Sequence, residues 1–256
     1  ESPEEDTGEY QYDKYMPRHV DMLTFRADLK DNGCPFLAVP ELFYGSNKVR
    51  VNSTRGYITM ALTDIDQQLL YENYDVSLYE HVKGWKFRQG KGFFVDYVDT
   101  WYSVKQCASH AKRTMSKLML NSLVGKMGVI PRDSKLQPKL TADHELEWVI
   151  VNSESNSINY LPVAMFVTAY ARQRLLNAIK ANQEHVIYAN TDGFILNPLT
   201  PARDIELDEH KLGAWKIQSR FQRLKILEQG VYQGLDQNNE YSLITSGMSI
   251  HTPIPW

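Results

Sequence analysis

The chain has 256 residues, 28 Lys and Arg against 31 Asp and Glu for a formal charge of −3, and a hydrophobic fraction of 43%. That balance excludes a disordered or fibrous chain and allows one large packed domain or two small ones. Two cysteines, Cys34 and Cys107, are too few for a disulfide framework or a cysteine-rich zinc site. No run approaches the roughly 18 apolar residues of a membrane helix, and an acidic start at Glu1, Glu4, Glu5 and Asp6 lacks a signal-peptide pattern, so a soluble protein of a reducing, cytoplasmic compartment is expected.

Residues 1–7 read as a frayed acidic lead-in. Short extended runs follow at 23–29 and 47–51, punctuated by Asp31-Asn32-Gly33, Pro35 and Pro40. Thr63-Asp-Ile-Asp66 is a capping box, and Ile65, Leu69 and Leu70 supply the apolar stripe of a helix to about Asn73. Residues 76–86 read as a strand, and Gly84, Gly90 and Gly92 mark a turn. The stretch from Phe93 to Val124 holds no Gly or Pro and is too long for a typical helix, so two helices broken near 103–109 are expected. Two extended runs within 129–159 predict a protruding β-hairpin. Pro162 starts a helix through Phe166, Tyr170, Leu175 and Ile179. Short strands at 185–188 and 194–196 flank Asn190-Thr191-Asp192-Gly193, with more at Trp215, 224–227, 231–232 and 241–245. The irregular alternation predicts an α+β fold over a parallel α/β sheet.

Taken alone, the −3 argues against nucleic-acid binding, but the charge is unevenly placed. From Thr100 to Arg132 there is no acid, against six cations: Lys105, Lys112, Arg113, Lys117, Lys126 and Arg132. The rest of the chain therefore carries about −9, and screening over about 8–10 Å makes such local clustering decide phosphate affinity. Arg113, Lys117 and Asn121 recur at i, i+4 and i+8, on one helix face, while Met115, Leu118, Met119 and Ser122 are expected to turn toward a core. Lys105 joins the cationic face only if the helix break permits it. Such a face suits a polyphosphate joined to a base or sugar; a plain solvated face is the bland alternative. Asp192, in a turn between two short apolar strands, is a candidate Mg²⁺ ligand, with an ordinary Asp-Gly turn as its alternative. The seven histidines show no metal-ligand spacing, and Cys107 is expected to pack rather than react.

These residues carry a resemblance. Lys117-Leu-Met-Leu-Asn-Ser-Leu-Val-Gly-Lys126 resembles the K…NSLYG fingers motif of family B DNA polymerases, and Tyr188-Ala-Asn-Thr-Asp192 their YxDTD palm motif. Thr168-Ala-Tyr-Ala-Arg172 is similar to the Txx[GA]R motif of the protein-primed branch, and Gly230-Val-Tyr232 to part of its KxY motif. The ordered set spans about residues 8–248. The resemblance implies a palm of antiparallel sheet and helices with short helical fingers and two insertions. Residues 8–91 would be palm strands with a first insertion facing the priming protein, 92–128 the fingers, 129–161 a second insertion, and 162–256 palm ending before the thumb. It implies that Lys105, Arg113 and Lys117 hold the incoming dNTP triphosphate and Asn121 brackets the nucleotide. Ser122 and Gly125 would let the nascent pair approach, Thr168 and Arg172 would touch template backbone, and Tyr232 the primer end. Asp192 would be the catalytic carboxylate and ligand of Mg²⁺ (or Mn²⁺), with primer-template DNA, dNTP and a terminal protein as partners.

Four features depart from that pattern. The DxxSLYP motif bearing the family's first catalytic Asp does not occur, Asn190 stands for the first Asp of YxDTD, Val124 for the Tyr of NSLYG, and Gly230 for the Lys of KxY. A lone Asp192 cannot position two metal ions. The chain by itself is therefore expected to be inactive and to need an upstream polypeptide carrying the exonuclease and the first catalytic Asp. A catalytically inactive module that binds DNA or a terminal protein remains the alternative, and a phosphate-binding α+β protein using only the basic helix the third reading.

Overall fold

The computed structural model describes residues 4–6, 18–39, 50–87, 92–128, 132–141, 145–154, 160–197 and 202–245. Most of the expected run at 47–51, Pro40, Gly90 and residues 246–256 lie outside them. Element order is β1 (Glu4–Asp6), β2 (His19–Leu29), β3 (Ile58–Thr63), α1 (Asp64–Asn73), β4 (Tyr74–Lys86), α2 (Val95–Cys107), α3 (His110–Met127), β5 (Arg132–Leu140), β6 (Leu146–Glu154), α4 (Leu161–Ala181), β7 (Val186–Asn190), β8 (Gly193–Leu196), β9 (Phe221–Glu228), β10 (Val231–Asp236) and β11 (Tyr241–Thr245). Helices mix with antiparallel strands, so the class is α+β, as expected. The lead-in, expected to be frayed, instead supplies β1 as an edge strand, because backbone pairing to a sheet does not depend on apolar side chains.

The chain divides into two compact units. The first holds Trp85–Tyr170 with two short N-terminal pieces, and the second holds Val20–Gly84 and Ala171–Trp256 with residues 5–14. In the second, β2 pairs antiparallel with β3 from Val20↔Thr63 to Phe25↔Ile58, and the sheet runs β1-β4-β2-β3. Its inward residues Leu23, Phe25 and Ala27 pack with Leu69 and Leu70 of α1, Tyr74 of β4 and Leu176 of α4. The alternation of β2 and the helical spacing of α1 meet in one core. The capping box forms as the sequence predicts: Thr63 Oγ1 accepts from Asp66 N–H at 3.1 Å and donates to Asp66 Oδ2 at 2.9 Å. A three-stranded sheet, β11-β10-β9, and the hairpin β7-β8 complete this unit.

Gly33 is fixed by crowding. A Cβ there would lie 2.3 Å from the Asn73 carbonyl oxygen and 2.9 Å from Leu29 Cδ1. The same carbonyl accepts from Lys30 N–H at 3.0 Å, and Asn73 Oδ1 accepts from Cys34 N–H at 2.9 Å, so it cannot retreat without breaking bonds. Gly33→Ala is expected to destabilise by about 1–3 kcal/mol, read as a lowered urea midpoint with unchanged slope. An unchanged midpoint would refute the crowding argument.

In the first unit, α2 and α3 are joined through Ala108 and Ser109, which places the helix break inside the expected interval. Tyr97 Oη donates to the Met119 carbonyl at 2.9 Å, fastening the start of α2 to the middle of α3 as an antiparallel pair. The expected hairpin is β5 with β6, in register from Arg132↔Glu154 to Leu140↔Leu146. The helix expected through Phe166, Tyr170, Leu175 and Ile179 is α4: Ala164, Ala169, Leu176 and Ala178 are buried, Phe166, Leu175 and Ile179 are half-buried, and Tyr170 is exposed and carries the Arg18 guanidinium 5.4 Å from its ring centroid. Small residues go inward where backbones come close, leaving the amphipathic Tyr at the surface.

Candidate functional site

In the first unit the basic helix α3 presents Arg113, Lys117 and Asn121 to solvent on one face, as their spacing predicts. Lys105 lies in the last turn of α2, near the corner of the helical pair, with its ammonium 5.1 Å from the Tyr102 ring centroid. The α2–α3 corner therefore gathers Lys105 and Arg113 at one end of the pair, with Lys117 one turn farther along α3. The expectation that Met115, Leu118, Met119 and Ser122 face a core fails for Met115, Leu118 and Ser122, while Met119 is half-buried. Met115 is 57% and Leu118 65% exposed, Ser122 is exposed, and in α3 only Ser116 is buried. Two packed helices cover just the seam between them, so the far side of α3 stays open whatever its residue types. Ser122 Oγ turns back to the Leu118 carbonyl, and a Cβ built on Gly125 would meet nothing within 4 Å. Gly125 therefore leaves room on an exposed surface and relieves no contact within the chain. Cys107 is exposed, which corrects the expectation that it packs.

Thr168 Oγ1 donates to the carbonyls of Ala164 and Met165, each at 2.9 Å, so this hydroxyl is engaged within its own helix. Arg172, expected on template backbone, donates through Nη1 to Asp66 Oδ1 in the second unit. Asp66 is thus held at once by the Thr63 hydroxyl of the capping box and by a guanidinium 106 residues along the chain. The sequence reading found both residues and missed the pair, because nothing local signals so distant a partner.

The carboxylate hairpin lies in the second unit. Strands β7 and β8 pair Ala189↔Phe194 and Asn190↔Gly193, so Thr191 and Asp192 form a two-residue turn and Asp192 is exposed. Thr191 sits at φ +51°, unusual for a β-branched residue and imposed by so tight a turn. Its hydroxyl donates to Asn190 Oδ1 at 3.0 Å.

Two rings back this hairpin. Tyr188 and Tyr232 lie 5.4 Å apart between centroids, and Phe194 meets Trp215 edge-on at 5.2 Å. Tyr188 Oη accepts from Gly230 N–H at 2.7 Å. Gly230 adopts φ +82° in the turn between β9 and β10, a conformation that favours glycine, so the residue replacing a motif Lys shapes the turn that braces Tyr188. Burial, then the neighbouring Tyr188, raises the Tyr232 phenol above its ordinary pKa, which keeps it a neutral hydrogen-bond donor. Tyr188 is the residue that sequence reasoning missed; its position in YxDTD was the available signal. Tyr188→Phe is expected to cost about 1–2 kcal/mol by leaving the Gly230 N–H without its acceptor, measured by thermal denaturation. A loss below about 0.3 kcal/mol would mean that water replaces the phenol fully.

Among the described residues no group of three or more His, Cys, Asp or Glu could hold a metal ion. Asn190 beside Asp192 is neutral. One exposed carboxylate does not fit a two-ion centre, and a complete one requires carboxylates from elsewhere.

The model for DNA polymerase type B, organellar and viral, matches residues 6–200. The chain belongs to that family. The DNA polymerase of Bacillus phage Nf is 32% identical over 228 residues, covering 88% of this chain and 40% of the phage protein. That of Bacillus phage phi29 is 31% identical over 229 residues, with the same coverage. The structure of phi29 DNA polymerase complexed with primer-template DNA and incoming nucleotide substrates matches with a TM-score of 0.85 at 27% identity, over 97% of this chain and 47% of that chain. The chain thus spans less than half the length of these type B polymerases. The α+β class expected from the irregular alternation is that of this polymerase fold. No described helix is long and apolar enough to cross a membrane.

Proposed function

We propose that this chain supplies fingers and palm surfaces to a template-directed DNA polymerase that transfers nucleotides by a two-metal mechanism. The observation that carries this reading is the pairing of two devices in one type B polymerase chain: an exposed cationic face on α3 and an exposed carboxylate on a ring-backed hairpin. In this reading Lys105, Arg113 and Lys117 neutralise the dNTP triphosphate and Asn121 brackets the nucleotide. Ser122 and the open surface at Gly125 accept the nascent pair, and Tyr232 meets the primer end. Thr168 and Arg172 reach template backbone, Arg172 by exchanging Asp66 for phosphate. Residues 92–128 act as fingers, the β5-β6 hairpin as an insertion around the template, and the remainder as palm, with a terminal protein as primer.

Asp192 contributes one ligand to Mg²⁺ or Mn²⁺; a polypeptide bearing a DxxSLYP carboxylate contributes the other. The test is primer extension on a defined template, with the chain alone and with that polypeptide added. Templated incorporation only in the mixture supports the shared site. Incorporation by the chain alone refutes the need for a second carboxylate, and none in either refutes the polymerase reading. The second outcome class has its own motivation: Asn190, Val124 and Gly230 depart from the family motifs, which favours a DNA- or terminal-protein-binding module without catalysis. Binding of primer-template without incorporation in the mixture would select it.

A further inference from the structure

The second unit has a cleft of about 390 Å³ lined by Asn32, Lys180, Ala181, Asn182, Gln183, Glu184, His185 and Arg203. It lies where α4 ends and β7 begins. Asp192 is at the far end of β7, roughly 16 Å along a five-residue strand, so the cleft is separate from the carboxylate hairpin.

Its walls carry three nitrogen bases, Lys180, His185 and Arg203, and three amides against a single carboxylate, Glu184. Among the described residues none of the three bases forms an ion pair. The cleft is also a built feature. Asn182, 4% exposed, accepts from Arg203 N–H through Oδ1 at 2.8 Å. Through Nδ2 it donates to the Arg203 carbonyl at 2.9 Å and to the Ala178 carbonyl at 2.8 Å. One buried amide therefore pins the Arg203 backbone from both sides, and neither bond uses its guanidinium. The C-terminal end of a helix ordinarily repels anions, but Asn182 occupies the Ala178 carbonyl with its side chain and the Ile179 carbonyl with its N–H at 3.0 Å. Lys180 and Arg203 against the Glu184 carboxylate leave the lining with a formal charge of +1 when His185 is neutral.

We infer that this cleft binds a single phosphate group, through the Arg203 guanidinium fork and the Lys180 ammonium, with the Asn32 and Gln183 amides as neutral donors. The guanidinium suits the planar, bidentate recognition of two phosphate oxygens, and Lys180 adds a point charge. Glu184, the one carboxylate in the lining, disfavours a second anionic group. The group could belong to a nucleic-acid strand or to a free phosphate ion, and the chemistry at the cleft is the same. The site goes beyond the polymerase reading and does not need it.

The test is an amide chemical-shift titration of the full chain with inorganic phosphate and, separately, a short oligothymidylate. It compares wild type with Lys180→Ala, Arg203→Gln and the pair. Both side chains are exposed and the structural bonds of Arg203 are made by its backbone, so the variants keep the fold. Phosphate is expected to shift the amides of Asn182, His185 and Arg203, with binding about tenfold weaker per cation removed. If the strand is the source, the double variant also loses oligonucleotide affinity, and its log–log salt slope becomes shallower by about 0.7, the value for one phosphate on a single strand. Phosphate binding lost with the slope unchanged assigns the site to the free ion. No shift at these amides with either probe, or equal binding by the double variant, overturns the inference. Asp192→Ala serves as the separating control, since it must leave cleft binding intact whether or not the hairpin takes part in polymerisation.

Discussion

Asp192→Ala is expected to lower templated dNTP incorporation by about 10³-fold or more in an assay that supplies the complementary carboxylate, while leaving stability within about 0.5 kcal/mol of the parent. The two halves of that expectation rest on the same geometry. Asp192 stands in a two-residue turn, exposed, and has neither a hydrogen bond nor an ion pair among the described residues. Hairpin register is set by the backbone pairs on either side and by the rings behind it, none of which uses the carboxylate. A solvated carboxylate with no structural duty is available to a cation. Primer extension and thermal melting on the same preparation separate the outcomes. Retained incorporation would remove Asp192 from the chemistry. Loss of activity together with a melting shift of several degrees would mean that the turn had been holding the hairpin.

What could be read in the sequence was what short-range chemistry dictates. Thr63 and Asp66 are three residues apart, so the capping box was visible in the chain and forms with both bonds. The α2–α3 break followed from length alone, and the β7-β8 hairpin from two apolar runs about a polar turn. The exposure of Arg113, Lys117 and Asn121 was legible through helical spacing. The failures share one cause. Whether Met115 and Leu118 are covered depends on what lies beyond a two-helix pair, which helical periodicity does not encode. Arg172 with Asp66 and Tyr188 with Gly230 are joined across 106 and 42 residues by tertiary packing. The first of these pairs changes the chemistry expected of Arg172, because a template phosphate in the proposed role would have to compete with a carboxylate already in place. The β1 strand was missed because its acidic residues give no apolar alternation, while pairing uses only backbone groups.

Tyr74→Phe should have the largest effect on stability of any single-oxygen deletion in the second unit. Tyr74 is 1% exposed and belongs to the core cluster, yet its hydroxyl is the junction of two chain segments. It accepts from Phe36 N–H at 3.1 Å and Leu37 N–H at 3.4 Å, and donates to the Val51 carbonyl at 2.8 Å. Val51 N–H in turn donates to the Leu37 carbonyl at 3.0 Å, so the phenol and one backbone bond hold the same pair of segments together. Phenylalanine preserves the edge-on ring contact with Phe36, 5.8 Å between centroids, and removes only the oxygen. Each buried backbone group left unpaired costs about 1–3 kcal/mol, and partial relaxation of three of them gives a loss of about 2–5 kcal/mol. That is a large share of the roughly 5–15 kcal/mol that stabilises an ordinary domain. The pH dependence supplies a second reading of the same oxygen. Burial raises the Tyr74 phenol above its ordinary value of 10.0, more than the N–H donors of Phe36 and Leu37 and the charge of Arg50 lower it. A raised acid stays protonated in the folded chain while the unfolded chain ionises. Its contribution is therefore complete below about pH 10 and is lost as the pH climbs from the unfolded value through the folded one. Urea denaturation of wild type from neutral pH to above pH 10 should show the midpoint falling at the alkaline end. Tyr74→Phe should start lower and have that part of the fall removed. A variant within about 0.5 kcal/mol of wild type at neutral pH would show that the junction is dispensable. An unchanged alkaline slope would assign the fall to other tyrosines.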